Sequence, residues 1–273
     1  MIGTDLRERQ IMAIVNVTDD SFYAGSRTTS REAIAARVER AIADGARIID
    51  IGGYSSRPNA VDIPSEQEWA RVKTGIEAVR EVDAGITVSV DTFRSEVVRR
   101  AVEQFGAIVV NDITAGEADG QMFATVAQYD LPYIAMHMRG TPQTMQSLAV
   151  YDDVVGEVRD YLAARVGQML ACGIRRENIV LDPGFGFAKT TEQNYQLLAG
   201  LHEICALGYP VLVGVSRKSM IYRLLATTPD DALCGTQVLG WEALRQGASI
   251  LRVHDVREAV QTLRMFDVFD KER

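Results

Sequence analysis

The run LDPGFGFAKTTEQN, residues 181–194, follows an apolar stretch and carries its glycines up to Lys189 and Thr190, as a phosphate loop would. The spacing excludes that loop. With Lys189 as the motif lysine, the glycines of GxxxxGK[ST] fall on Pro183 and Ala188, and a proline has no N–H to offer a phosphate. What the run does supply is a carboxylate, Asp182, where the apolar stretch stops. Other short apolar runs stop in the same way: on Asn16, on Ser56 and Arg57 within GGYSSRP, on Asp91, on Asn111 and Asp112, and on His137. Ser216, Arg217 and Lys218 follow another, and Arg252, His254 and Asp255 the last. Asp91, Asn111 and Asp182 suit the donor-rich edge of an amino-pyrimidine or guanine-like ring. A carboxylate accepts paired N–H bonds there, and an amide supplies either sense. Arg57, Lys218, Arg252 and His254 suit a phosphate or pyrophosphate, arginine as a fork and lysine as a point charge. Two blander readings compete: strand ends that finish in turn formers or caps, and cations paired with Asp255 or Asp91.

Convergence of these residues requires a scaffold that gathers strand ends. Eight short apolar runs recur, at 11–15, 47–51, 86–90, 107–110, 132–136, 178–181, 210–215 and 249–253, each too continuous for a half-exposed strand. Helical patterns lie between them. One puts Ile34, Val38 and Ile42 on one face, opens on a Thr29/Glu32 capping box and ends at Gly45; another has Ser65 and Glu68 as its box and Trp69, Val72, Ile76 and Val79 as its stripe. A longer one from YDDVVGEV closes at Gly173, and Thr190 with Gln193 forms a third box, which makes Thr190 an N-cap. Eight strand–helix units with right-handed crossovers predict an α/β fold, a (β/α)8 TIM barrel forming a single domain over 1–273; a doubly wound open sheet is the alternative. In such a barrel the active site lies at the C-terminal strand ends, where these polar residues fall. The connections 17–29 and 52–64 far exceed the usual two to six residues and read as lids or binding loops; GTPQTMQSLAVYDD after the fifth run is similarly long.

Bulk properties narrow the partners. A net charge of −8 argues against a nucleic-acid or anionic-membrane surface, so a local cluster of cations implies a compact anionic ligand. No apolar run approaches the length of a membrane span, and the first ten residues read as neither signal nor anchor. Three cysteines without CxxC or metal spacing read as reduced thiols, which predicts a cytoplasmic protein.

Taken together, IMAIVNVTDDSF, IDIGGYSSRP, VSVDTF, VVNDITAG, MHMRGTPQTMQ, LDPGFGFAKT, VGVSRKSM and LRVHDV resemble dihydropteroate synthase, in order and in register over residues 10–256. The resemblance implies condensation of a 6-hydroxymethyl-7,8-dihydropterin pyrophosphate with p-aminobenzoate, giving 7,8-dihydropteroate and pyrophosphate for folate synthesis. It implies that Asp91, Asn111, Asp182 and Lys218 hold the pterin, with Met136 against its ring and Gly214 lining the pocket. Asn16, Arg252 and His254 would hold the pyrophosphate, Asn16 also reaching a Mg2+ ion. Ser56, Arg57, Pro58, Phe187, Ser219 and the stem of Lys218 would form the p-aminobenzoate site. It also implies a homodimer; Val260, Leu263 and Met265 of the last helix fit either an interface or barrel packing. Asp91, Lys218 and Asn16 are the catalytic candidates, in an SN1-like route with Mg2+-assisted departure of pyrophosphate.

The sequence departs from the family in its first two loops. NVTDDSFYAGS stands for NVTPDSFSDGG, placing Asp19, Tyr23 and Ala24 where proline, serine and aspartate are usual; Tyr54 replaces a glutamate and Ser56 a threonine. These changes predict an altered sulfonamide sensitivity, read as an inhibition constant unlike that of ordinary members. Two rivals stand beside the main reading. One is a pterin-binding methyltransferase domain on the same barrel, which has no need of SRKS plus RVHDV. The other is a catalytically silent paralogue that only binds a pterin.

Overall fold

The computed structural model describes residues 5–17, 30–55 and 62–272. Eight strands run parallel: β1 Gln10–Asn16, β2 Ile48–Gly52, β3 Thr87–Asp91, β4 Val109–Asp112, β5 Tyr133–Met136, β6 Ile179–Asp182, β7 Leu212–Val213 and β8 Ile250–Val253. They are hydrogen-bonded in the order β6-β5-β4-β3-β2-β1-β8-β7. A parallel bridge between Leu181 and Val211 then joins β6 to the segment entering β7. The sheet therefore closes on itself, as a barrel and not an open sheet.

Side chains alternate across the barrel wall with the two-residue strand period. Met12, Ile48, Val109, Ile134, Val180, Leu212 and Ile250 form one buried inner layer, joined by Leu6 from the segment before β1. Their neighbours Ile11, Ala13, Ile49, Val88, Val110, Leu181 and Leu251 face outward. There they meet the apolar stripes of α1 (Arg31–Ala43), α2 (Ser65–Val82), α3 (Ser95–Phe105) and α5 (Val154–Ala171). Burying each large aliphatic side chain contributes about 1.5–3 kcal/mol toward holding this scaffold. The remaining helices are α4 Met122–Gln128, α6 Thr191–Ala199, α7 Leu201–Cys205, α8 Ser219–Tyr222, α9 Leu233–Arg245 and α10 Val256–Lys271. Among the described residues no helix is long and apolar enough to cross a membrane.

Several boundaries differ from the sequence expectation, for one reason. Apolar runs mark where a strand is greasy, whereas pairing continues through its polar end. β4 covers 109–112 and not 107–110, and β3 ends on Asp91, so Asp91, Asn111 and Asp112 are strand residues and not the first residues of loops. β7 shrinks from six residues to two. Two capping boxes also move. α1 is capped by Ser30, whose Oγ accepts from Ala33 N at 3.2 Å; Thr29 lies outside the described residues. α2 starts after Pro64, which has no side-chain acceptor, and Glu68 turns inward instead. The third box holds: Gln193 N donates to Thr190 Oγ1 at 3.2 Å and Thr190 N to Gln193 Oε1 at 2.8 Å. Gly45 and Gly173, at φ 105° and 91°, follow α1 and α5 as left-handed terminators.

Candidate active site

Strand register lines up four residues across one rim of the barrel. Asn16 of β1 pairs with Gly52 of β2, Gly52 with Asp91 of β3, and Asp91 with Asn111 of β4. Gly52 is the gap in this row. A Cβ there would stand 3.0 Å from Asn16 Oδ1 and 3.8 Å from the Asp91 Cβ, so its bareness keeps the space between them open. One layer deeper on β2 lies Asp50, wholly buried. Its Oδ2 accepts from Asn111 Nδ2 at 3.2 Å and from Arg252 Nε at 2.7 Å. Arg252 Nη2 reaches up to Asp91 Oδ2 at 2.8 Å. Burial raises the Asp91 carboxyl to about 7, against the pull of Arg252 and with the repulsion of Asp50.

The opposite rim is built by the loop after β6. Asp182 Oδ1 accepts from Gly184 N at 2.8 Å, which turns the chain at once. Gly184 has φ 70°, and a Cβ on it would lie 1.9 Å from the His137 carbonyl oxygen. Gly184→Ala should therefore destabilise the fold by about 3 kcal/mol or more, combining left-handed strain with an unrelievable backbone clash; urea denaturation measures it. Lys189, buried, fastens the loop by donating from Nζ to Gly184 O and Phe187 O and meeting His137 Nδ1, each at 3.0 Å. Burial drives both partners of that last contact toward neutrality, His137 down to about 2 and Lys189 well below the usual lysine range. The loop so held presents the Phe185 carbonyl to Lys218 Nζ, which also lies 4.7 Å over the Phe187 ring. Lys218 is lowered to about 8, burial outweighing Asp182, and Asp182 is raised by burial against Lys218. Met136 pairs in register with Asp182 and packs in one cluster with Met138, Met145, Ile113, Ala188, Phe93 and Phe187.

Between the rims stands the anion end. His254 lies against Ser216, with N–Oγ 3.1 Å and Nδ1–Oγ 3.2 Å. Burial lowers its ring to about 3, and Arg37, Arg252, Arg217 and Lys218 all push the same way. Cations gathered around this ring suit an anion of more than one charge, with Arg217 and Arg252 already paired to Asp255 and to Asp50 and Asp91. Gly214 brings backbone beside Arg252, a Cβ there lying 3.9 Å from the Arg252 Cβ. Ser219 opens α8 directly after Lys218.

Some candidates fall elsewhere. Asp112 faces out of the barrel, accepting from Tyr133 Oη at 2.7 Å, Thr114 N at 2.7 Å and Gly116 N at 2.8 Å; it organises a turn. Arg217 forks onto Asp255 at 2.8 Å through both Nε and Nη2 and donates to Pro229 O and Asp230 O, bracing β7 to β8. Asp255 is taken by Arg217, which was not among the cations for which that pairing was foreseen, while Arg252 realises the one with Asp91. The two charge groups are thus interleaved across the mouth. Ser56, Arg57 and Pro58, with Asp19, Tyr23 and Ala24, lie outside the described residues. Tyr54 meets Phe93 edge-on at 5.0 Å, with Arg94 over its ring at 5.4 Å. Sequence reasoning missed Asp50 and Lys189. A charged residue inside an apolar run was the signal for the first; the second was hidden by its neighbour's role as a cap. Among the described residues no three His, Cys, Asp or Glu side chains gather closely enough to cage a metal, and Asn16 Oδ1 is the hard oxygen at this end of the rim.

With that geometry in view, comparison with known proteins is direct. The model of the pterin binding enzyme family matches residues 12–254. The chain is 42% identical over 258 residues to the dihydropteroate synthase of Synechocystis sp., covering 94% of this chain and 89% of the relative. It superposes with a TM-score of 0.93 on the Yersinia pestis dihydropteroate synthase solved as a sulfonamide drug complex, at 36% identity over 98% of this chain and 96% of the other. The Xanthomonas albilineans dihydropteroate synthase solved with 7,8-dihydropteroate gives a TM-score of 0.85 at 37% identity, covering 97% and 95%.

Proposed function

This chain belongs to the pterin-binding enzyme family, among its dihydropteroate synthases, and from that premise we infer how its barrel mouth works. It is a transferase of folate biosynthesis that condenses (7,8-dihydropterin-6-yl)methyl diphosphate with 4-aminobenzoate, releasing 7,8-dihydropteroate and diphosphate. The methyltransferase and silent-paralogue readings fall behind, since the relatives that match nearly end to end are synthases. The observation that carries the mechanism is the geometry of the mouth, where Arg252 reaches Asp91 and His254 rests on Ser216 at the end of a rim that carries Asp91 and Asn111 in register.

Asp91, Asn111 and Asp182 hold the pterin's N–H edges, Lys218 its carbonyl side, Met136 the ring face, and Gly214 the approach of the backbone. Arg252 and His254 take the pyrophosphate with Asn16. An arriving polyanion lets His254 accept a proton, which converts a buried neutral ring into a donor at the leaving group. Among the described residues Asn16 Oδ1 would hold a Mg2+ ion at this end, together with the oxygens of the substrate's own pyrophosphate. Its chemistry, when bound, is to neutralise charge on the departing pyrophosphate. Departure leaves positive charge on the methylene conjugated to the pterin, and Asp91 and Asp182 are already oriented to stabilise it. The aniline nitrogen of 4-aminobenzoate then attacks, seated by Phe187, Ser219, the stem of Lys218, and Ser56, Arg57 and Pro58 of the second loop. The shed proton leaves with solvent or phosphate.

The exposed Met265, Val268 and Phe269 of α10, with Val238 of α9, support a homodimer, whereas Val260 and Leu263 of the same helix pack on the barrel; sedimentation at micromolar concentration reads the state. Unpaired Cys172, Cys205 and Cys234 support a reducing, cytoplasmic setting. Incubation with the pterin pyrophosphate, 4-aminobenzoate and Mg2+ tests the activity. Dihydropteroate and pyrophosphate should appear in equal amounts, and their absence would overturn the reading.

A further inference from the structure

Asp50 has no part in the chemistry above, yet it is wholly buried and fully engaged on one side. Its Oδ2 lies 2.7 Å from both Nε and Nη2 of Arg252 and 3.2 Å from Asn111 Nδ2. One oxygen thus joins a residue assigned to the pyrophosphate and a residue assigned to the pterin. Arg252 Nη2 is shared with Asp91, at 2.8 Å, but the two carboxylates stand at different depths. The Asp91 side chain keeps 21% of its surface exposed toward the mouth, and that of Asp50 keeps none. A ligand can compete for Asp91. None can reach Asp50.

We propose that Asp50 is the positioning residue of this site, the permanent anchor that holds Arg252 and Asn111 in register while Asp91 exchanges its bond to Arg252 for the incoming pterin. The inference rests on the assignment of Asp91 and Arg252 given above. Its physical content is the difference between the two ion pairs. When Asp91 turns to the pterin, Arg252 loses one of two partners; the remaining pair with Asp50 is electrically balanced and out of solvent. The guanidinium stays charged and keeps its plane, since Nε and Nη2 both remain on one oxygen. Arg252 Nη1 donates to no protein atom among the described residues, so one edge of the fork is left for an anion. Without Asp50, Asp91 would be the one carboxylate among the described residues bonded to Arg252, and pterin and arginine would compete for it.

The test is a kinetic split. Asp50→Asn keeps shape and one acceptor, and its amide can occupy the place of Oδ1, which like the Oγ of its register neighbour Ser89 has no partner among the described residues. The expected result is a fall of about 10–100-fold in kcat/KM for the pterin pyrophosphate, the range for residues that orient ligating groups. KM for 4-aminobenzoate at saturating pterin should stay within about twofold, because no contact of Asp50 leads to that subsite. Arg252→Lys should also be impaired, and the double variant should lose less than the product of the two single losses, since both changes disturb the shared Asp50–Arg252 contact while the Asn111 contact is disturbed by Asp50→Asn alone. Parent-like pterin kinetics in Asp50→Asn, equal losses on both substrates, or additive losses in the double variant would each overturn the proposal. Should Asp50→Asn not accumulate as folded protein, Asp50→Glu decides. It keeps the charge but displaces it by one methylene, so the same pterin-side loss is expected and parent-like kinetics refute. An inactive parent would sink the functional reading itself; an active parent with a parent-like Asp50→Asn sinks this inference alone.

Discussion

Asp91→Asn should lower kcat/KM for the pterin pyrophosphate by about a thousandfold without unfolding the protein, because it removes the charge that faces the developing cation. The amide keeps the volume and one acceptor, so binding survives better than turnover, and kcat should carry most of the loss. The pH dependence separates this from a packing defect. In the ligand-free protein burial holds Asp91 at about 7, and kcat/KM reports groups in the free enzyme. Parent activity should therefore fall below about pH 7 as the carboxylate takes up a proton, and the residual activity of Asp91→Asn should lack that acid limb. The same shift makes a prediction on stability with a definite sign. A carboxyl raised in the folded state favours folding while it is protonated, and that contribution is lost as pH rises through about 7. At pH 8 the folded parent thus carries an ionised, desolvated Asp91, and Asp91→Asn should melt at or above the parent temperature. Near-parent turnover, or an unchanged acid limb, would remove Asp91 from its role.

Why this residue could be found from sequence, and Asp50 could not, is a matter of where apolar patterning stops carrying information. The greasy cores of eight strands are legible because both faces of a barrel strand are covered, one by the interior layer of Met12, Ile48 and their partners, the other by helices. A polar residue at the end of such a run stands out, which brings Asn16, Asp91, Asn111 and Asp182 to notice together. The two-residue alternation then decides which of them face inward, and it sends Asn111 into the mouth and its neighbour Asp112 into the wall. That sorting needs the strand register, which apolar runs misplace by up to two residues. Asp50 sits inside a run, where one charged residue among isoleucines looks like noise until Arg252, two hundred residues away, is found against it. Arg217 and Lys218 are adjacent in sequence and indistinguishable by type. The left-handed backbone of Arg217, φ 54°, sends its side chain to Asp255 while Lys218 goes to the mouth. The KT of the opening loop divides likewise, Thr190 capping α6 and Lys189 holding the turn from beneath.

Lys218→Met should cost a hundredfold or more in kcat/KM at pH 7, roughly the effect of losing one preorganised electrostatic contact, and its pH profile should run opposite to the parent's. Methionine keeps the apolar stem against Phe187 but removes the charge beside Asp182. Of the influences that hold the buried Asp182 carboxyl down, Lys218 is the largest. Without it burial dominates, the carboxyl climbs further, and at neutral pH a growing fraction is protonated and unable to accept the pterin's N–H bonds. Raising the pH restores the carboxylate, so the variant should gain activity as the pH rises. The parent should lose activity as the pH rises through about 8, because burial lowers Lys218 to about 8 and its charge is given up there. The two limbs belong to the linked cluster of Asp91, Asp182, Arg252 and Lys218 and move together when any member is replaced. A Lys218→Arg variant, permanently charged, should lose the alkaline limb while keeping the acid one, provided the longer fork still reaches the Phe185 carbonyl. If Lys218→Met merely scaled the parent profile down at every pH, Lys218 would not be setting the charge of Asp182, and the coupling across this rim would have to be assigned to Arg252 instead.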